Sequence, residues 1–141
     1  MTERLSRLAF ERMPHRPPML LLDAVLESDA SGVWVRARPH AAADYPLRVG
    51  GVLYPIALVE VGAQAAAAHA SLTALQQMHL GVIVALTGVT VEPGPVPDAP
   101  LYASAWLDGE TTAAARYSFT VTGADRRIVA GAALLMLRAA E

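Results

Sequence analysis

The chain has 141 residues, enough for one compact domain and too few for two ordinary ones, and its 54% apolar, 17% charged composition excludes disorder over most of that length. A formal net charge of −2 argues against a general nucleic-acid binder. There is no cysteine and no lysine, so disulfide scaffolds, thiol nucleophiles, thiolate zinc sites and lysine Schiff bases are all excluded.

In chain order, residues 2–12 mix charge with Leu5, Leu8, Ala9 and Phe10 and predict a short amphipathic helix. Met13-Pro14-His15-Arg16-Pro17-Pro18 ends it, because proline lacks the N–H that continues the ladder. Met19 to Glu27 and Val33 to Pro39 are strand candidates joined by a turn over Ser28 to Gly32. His40 to Gly51 is a loop of small residues. Pro55 then opens a long alanine-rich helix that runs to about Met78 and is apolar on nearly every face, as expected of a helix wrapped by other structure. Four strands follow, over Val82 to Val91, Leu101 to Leu107, Thr112 to Thr122 and Ile128 to Leu137. Their turns are the proline-rich run Glu92 to Asp98, the pair Asp108-Gly109, and Gly123 to Asp125.

That order gives one domain over residues 1–141, of α+β class, with about six antiparallel strands curled round one long buried helix. A sheet with exposed edges tends to pair with another, so a homodimer is expected. The apolar stretch Val52 to Ala74 is long enough to span a membrane, but Glu60, Gln64 and His69 inside it are costly in lipid. No N-terminal targeting pattern is visible. A cytoplasmic protein with no membrane span is the expectation.

Glu60 is the main chemical candidate. A carboxylate in the middle of an apolar helix must be neutral, paired or hydrated, and each outcome gives it a partner or a shifted pKa. Gln64 lies one turn on and shares its face. His40 precedes the loop into the helix and is a candidate base, while His15 lines the same region or packs beneath the helix. His69 reads as a core histidine, and His79 as a helix-end cation. No run has metal-ligand spacing, no Gly-x-Ser-x-Gly occurs, and no phosphate-binding glycine loop is present. Arg126 and Arg127 occupy the last turn.

These pieces resemble the 3-hydroxyacyl-ACP dehydratases of the FabA/FabZ group. Met13-Pro14-His15-Arg16-Pro17-Pro18-Met19-Leu20-Leu21-Leu22-Asp23 is similar to that group's Pro-His-Arg…Leu-Leu-x-Asp opening, and Glu60-Val61-Gly62-Ala63-Gln64 to its helical Glu-x-x-Ala-Gln. His40, Tyr45-Pro46-Leu47-Arg48, Glu60, Gln64 and Ala68-His69 together resemble the aryl-polyene, ApeP-like branch. The resemblance implies a dimeric hot-dog fold, with the long helix as the sausage. It implies a substrate carried on the phosphopantetheine of an acyl carrier protein, with no cofactor held by the chain itself. In the implied mechanism a histidine removes the α-proton, an acid on the sausage helix protonates the departing hydroxyl, and backbone N–H groups near that helix's start hold the thioester oxygen.

Carried over residue by residue, Glu60 takes the acidic position and Gln64 its partner. The group's His-Phe-Pro-Gly places its histidine where this chain has Pro46, and its Pro-Gly before the helix becomes Tyr54-Pro55. His40 is therefore the first choice of base and His15 the second, with His15, Tyr45, Ile56 and Gln64 as substrate-binding candidates. Two other readings stand beside the dehydratase. One is a hot-dog acyl thioesterase, in which the same carboxylate activates water. The other is a non-catalytic subunit that completes the site of another hot-dog subunit in a heterodimer.

Overall fold

The computed structural model describes residues 2–73 and 78–139. Its elements are α1 (Thr2–Arg12), β1 (Leu22–Ser28), β2 (Gly32–Ala37), a 3₁₀ turn (Pro55–Leu58), α2 (Val59–Thr73), β3 (Met78–Val91), β4 (Leu101–Glu110), β5 (Ala114–Gly123) and β6 (Arg126–Ala139). The strands form one antiparallel sheet in the order β1-β2-β4-β5-β6-β3. Helix α2 lies across its inner face and touches β1, β2, β4, β5 and β6. This is the hot-dog arrangement expected from the sequence.

Period-two patterning sets which face each strand buries. In β5, Ala115, Tyr117, Phe119 and Val121 point inward, and the intervening residues are exposed or half-buried. In β2 the same role falls to Val33, Val35 and Ala37. Every residue of α2 from Val61 to Ser71 is buried, and its alanines let the sheet approach closely. Gly62 is required there. A Cβ would overlap the ring of Phe119, which is itself backed by Gly131 with its Cζ 3.2 Å from where a side chain would begin. Burying Phe119 contributes about 2–3 kcal/mol.

The free edge of β1 is closed by α1. Ser6 Oγ accepts the Val25 N–H at 2.8 Å and donates to the Thr2 carbonyl at 2.8 Å. Arg12 reaches across to the far end of α2, where its Nη1 donates to the Ser71 carbonyl at 2.9 Å and satisfies one of the helix's orphan acceptors. His69 is fully buried and satisfied, as read from the sequence. Its Nε2 donates to the Asp29 carbonyl at 2.8 Å. A carbonyl only accepts, so Nδ1 is the acceptor for the Tyr117 hydroxyl at 2.7 Å. Burial of Tyr117 raises its phenol pKa, so it stays a donor.

Several boundaries differ from the sequence reading. The helix expected from Pro55 to Met78 is a 3₁₀ turn followed by α2, and α2 ends at Thr73. The last positions of that expectation before Met78 lie outside the described residues. His79 falls within β3, not at a helix end. Asp108-Gly109 is not a turn. β4 continues to Glu110 through a register shift between Leu107 and Gly109, with Asp108 accepting a hydrogen bond from Ser118 Oγ at 2.6 Å. Arg126 and Arg127 open β6, and Arg126 pairs with Glu92 at 3.0 Å.

Candidate active site

Glu60 does not sit in the middle of the buried helix. Pro55 starts the helical run as a 3₁₀ turn, so α2 begins at Val59 and Glu60 occupies its first turn. A carboxylate there meets the positive end of the helix dipole. The side chain is 32% exposed, so it is half-open rather than dry.

Gln64 is fully buried and fixes three groups at once. Its Oε1 accepts the Leu21 N–H at 2.8 Å, and its Nε2 donates to the Met19 carbonyl at 2.7 Å and to Glu60 Oε1 at 3.2 Å. The first two bonds pin the chain leading into β1 against α2. The third orients the carboxylate. The helical spacing read from the sequence therefore produces the pairing expected of Glu60 and Gln64.

The segment pinned by Gln64 carries His15. Its Nε2 stands 3.7 Å from Glu60 Oε1, and its side chain is 25% exposed. Arg16 shapes this bend by donating from Nη1 to the carbonyls of Met13 at 2.5 Å and His15 at 2.8 Å. Burial lowers the His15 pKa, Glu60 opposes that shift, and Arg16 adds to it. Burial thus favours the neutral form of the ring. Its Nδ1 is buried with no hydrogen-bond partner among the described residues, which leaves Nε2 as the nitrogen facing the carboxylate.

His40 lies elsewhere within the chain. Its Nε2 is 3.1 Å from the Pro97 carbonyl, and its ring meets Tyr45 edge-on at 6.3 Å. Within one chain, then, the ring brought to Glu60 is His15 and not His40. Tyr45 is buried under the Arg38 guanidinium, 5.3 Å from the ring centroid, and its hydroxyl has no partner among the described residues. Burial raises its pKa against the pull of Arg38 and Arg48. Arg38 also pairs with Asp44 at 3.2 Å, and Arg48 donates to the Ala42 carbonyl, so these side chains hold the loop together. Ile56 is 52% exposed at the start of the helical run.

Arg16, Met19 and Leu21 fall in the Pro-His-Arg…Leu-Leu-x-Asp opening, but the sequence assigned no contact to the Arg16 side chain or to the backbone of Met19 and Leu21. The available signal was the density of prolines, which leaves carbonyls without helical partners. Among the described residues no three His, Asp or Glu side chains converge to hold a metal ion, and no helix is long and apolar enough to cross a membrane.

A family model described as ApeP dehydratase matches residues 9–92, more than half of the chain. That span holds His15, His40, Tyr45, Glu60 and Gln64. A comparison with curated protein sequences yields no significant match. Among solved structures, the dehydratase heterocomplex ApeI:P from Xenorhabdus doucetiae superposes with a TM-score of 0.79 at 16% identity, covering 92% of this chain and 90% of that one. A thioesterase from Pseudomonas aeruginosa superposes at 0.69 with 10% identity, covering 94% and 92%. AziG from S. sahachiroi superposes at 0.63 with 20% identity, covering 83% and 90%. At these identities the likeness is one of fold, and the family rests on the sequence model: the chain belongs to the ApeP-like dehydratases.

Proposed function

We propose that this chain is a hot-dog dehydratase subunit that converts 3-hydroxyacyl thioesters, carried on the phosphopantetheine of an acyl carrier protein, to trans-2-enoyl thioesters in cytoplasmic fatty-acid-like or aryl-polyene biosynthesis. The observation that carries this reading is the His15 ring facing Glu60 across 3.7 Å while Gln64 holds both the carboxylate and the histidine's segment. A base and an acid side by side can serve the two ends of one elimination. His15 Nε2 takes the α-proton, the C–O bond breaks as the C=C bond forms, and Glu60 in its acid form gives the departing hydroxyl a proton, releasing water.

The base is assigned to His15 because His40 is engaged by the Pro97 carbonyl. The thioester oxygen is assigned to the Ile56 N–H. Pro55 has no N–H, and the Ala57 N–H already binds the Tyr54 carbonyl at 3.0 Å. Tyr45 supports the loop leading to this point. Substrate and a second hot-dog subunit cover the open third of Glu60. The exposed Val49, Val52, Tyr54 and Ile56 around the start of the helix favour such a cover. Either a second copy or a different hot-dog subunit fits this surface.

The test is to supply the purified chain, alone and with a co-expressed hot-dog partner, with a 3-hydroxyacyl thioester on carrier protein and to follow enoyl absorbance. Glu60→Gln and His15→Asn abolish the signal, and His40→Ala retains it. Full activity in Glu60→Gln overturns the assignment. Free thiol released in place of enoyl product makes the protein a thioesterase.

A further inference from the structure

We propose that the outer face of the sheet beside the β1–β2 turn is a docking groove for a partner segment that presents an arginine side chain. The groove has a volume of about 470 Å3, and its lining includes Glu27, Asp29, Gly32, Trp34 and Trp106. Trp34 and Trp106 are the only tryptophans of the chain, and they are 43% and 46% exposed. Two half-exposed indoles on one side of a sheet are an unusual use of the residues with the most apolar surface.

The strand register explains the shape. Glu27 stands opposite Trp34, and Trp106 stands opposite Gly32, so all four positions share the outer face. Gly32 contributes no side chain and leaves a notch against the Trp106 indole. It cannot be replaced, because a Cβ there would lie 2.5 Å from the Ala105 carbonyl oxygen and 3.3 Å from Trp106 Cδ1. Tyr102 extends the aromatic wall, with its ring 5.8 Å from that of Trp34.

Charge selects the occupant. The groove is lined by two carboxylates and by no arginine or histidine among the described residues. Asp29 Oδ1 accepts from the Ser31 N–H at 2.8 Å, Ser31 Oγ at 2.9 Å and the Gly32 N–H at 3.0 Å. These bonds fix its orientation and keep it ionised. A guanidinium is the group that stacks flat on an indole while its N–H fork reaches a carboxylate. Recognition by strand addition is excluded at this end of the sheet, since α1 covers β1 and Ser6 occupies the Val25 N–H. A side chain laid across the face is the mode left.

The groove is separate from Glu60. His69, which holds the Asp29 carbonyl, is nine residues further along α2, or about 13 Å at 1.5 Å per residue. Its test therefore stands apart from the dehydratase reading. The full-length chain is titrated with N-acetyl-arginine amide while its two tryptophan indole N–H signals are followed by NMR. N-acetyl-citrulline amide, of the same shape without the charge, serves as control.

Both indole signals shift saturably with the arginine compound and not with the citrulline one. Glu27→Gln, at an exposed position that leaves the fold intact, weakens the response about tenfold, and Trp34→Phe retains part of it. Enoyl formation by both variants is unchanged. Equal response to the citrulline compound, a drift without saturation, or an unaltered Glu27→Gln titration overturns the proposal. So do signals that move on dilution of the protein alone, which would give the groove to a second copy.

Discussion

Replacing Gln64 with alanine tests whether one buried amide holds the site together. The side chain is fully buried, and its loss strips the partner from the Leu21 N–H, which sits on a residue with no exposure. An unpaired buried donor costs about 1–3 kcal/mol. The Met19 carbonyl belongs to an exposed residue and regains water, so it adds little. The emptied volume adds a cavity term, bringing the expected loss to about 2–4 kcal/mol. Urea unfolding at fixed protein concentration measures it, the concentration being held because association shifts apparent stability. Activity should fall through kcat more than KM, because Glu60 loses its orienting donor while the surface that meets the substrate is unchanged. Gln64→Glu separates the two roles. It keeps an acceptor for Leu21, loses the donor to Met19, and sets a second carboxylate against Glu60. An alanine variant that loses less than about 0.5 kcal/mol, within the ordinary surface range, and keeps its kcat refutes the reasoning.

Gly62→Ala gains about 1 kcal/mol of helix propensity but drives a Cβ into Phe119, whose ring is also held at Gly131; a net loss of about 1–3 kcal/mol is expected, recovered in a Phe119→Leu background and read by urea unfolding of the two single variants and the double. Tyr117→Phe removes the donor to His69 Nδ1 in the core and should cost about 1–3 kcal/mol, measured by the same unfolding assay. The lowered pKa of His15 means that the unfolded chain binds a proton more readily than the folded one. Its contribution to stability is therefore complete above about pH 6.5 and is lost as pH falls through the lower folded value, and unfolding midpoints measured across that range should lose this dependence in His15→Asn. The acid limb of enoyl formation should likewise lie below about pH 6.5, as a pH–rate profile of kcat/KM would report.

The element types were legible wherever one periodicity dominated. β5 alternates cleanly around Tyr117, Phe119 and Val121, and the alanine-rich run after Pro55 has the composition of a helix without a solvent face. Glu60 and Gln64 were legible as a pair because four-residue spacing forces them onto one face. The identity of the ring beside them was not. His15 and Glu60 are far apart in sequence, and what joins them is the capture of the Met19 and Leu21 backbone by Gln64, a side-chain-to-backbone contact that leaves no periodic trace. The start of α2 was misread for a related reason. Proline marks the beginning of a helical run but not whether its first turn is α or 3₁₀, and that choice moved Glu60 from a dry interior to a half-open helix end. The pair Asp108-Gly109 has turn composition, yet β4 absorbs it as a bulge because Ser118 supplies Asp108 with a partner on the neighbouring strand.

The two edges of the sheet are finished differently, and the difference bears on catalysis. At β1 the chain closes its own edge with α1, and the outward Val25 N–H ends on Ser6. At β3 the consecutive residues Ile83 and Val84 are both exposed, and so are Leu86 and Val91. The pairing with β6 shifts register between Leu80 and Ile83 and again between Ile83 and Ala85, so the strand bulges here and turns these apolar side chains out at the edge. Such an edge is an aggregation hazard in a lone subunit and a pairing surface in an assembly. The start of the helical run shows the same unfinished character at Tyr54 and Ile56, and Glu60 is the first acidic residue beyond it. A subunit docked along β3 and over this point would dry the carboxylate and raise the strength of every electrostatic contact around it. On the proposed reading, in which Glu60 and His15 are acid and base, a docked subunit supplies their low-dielectric setting, and activity should track assembly rather than folding alone.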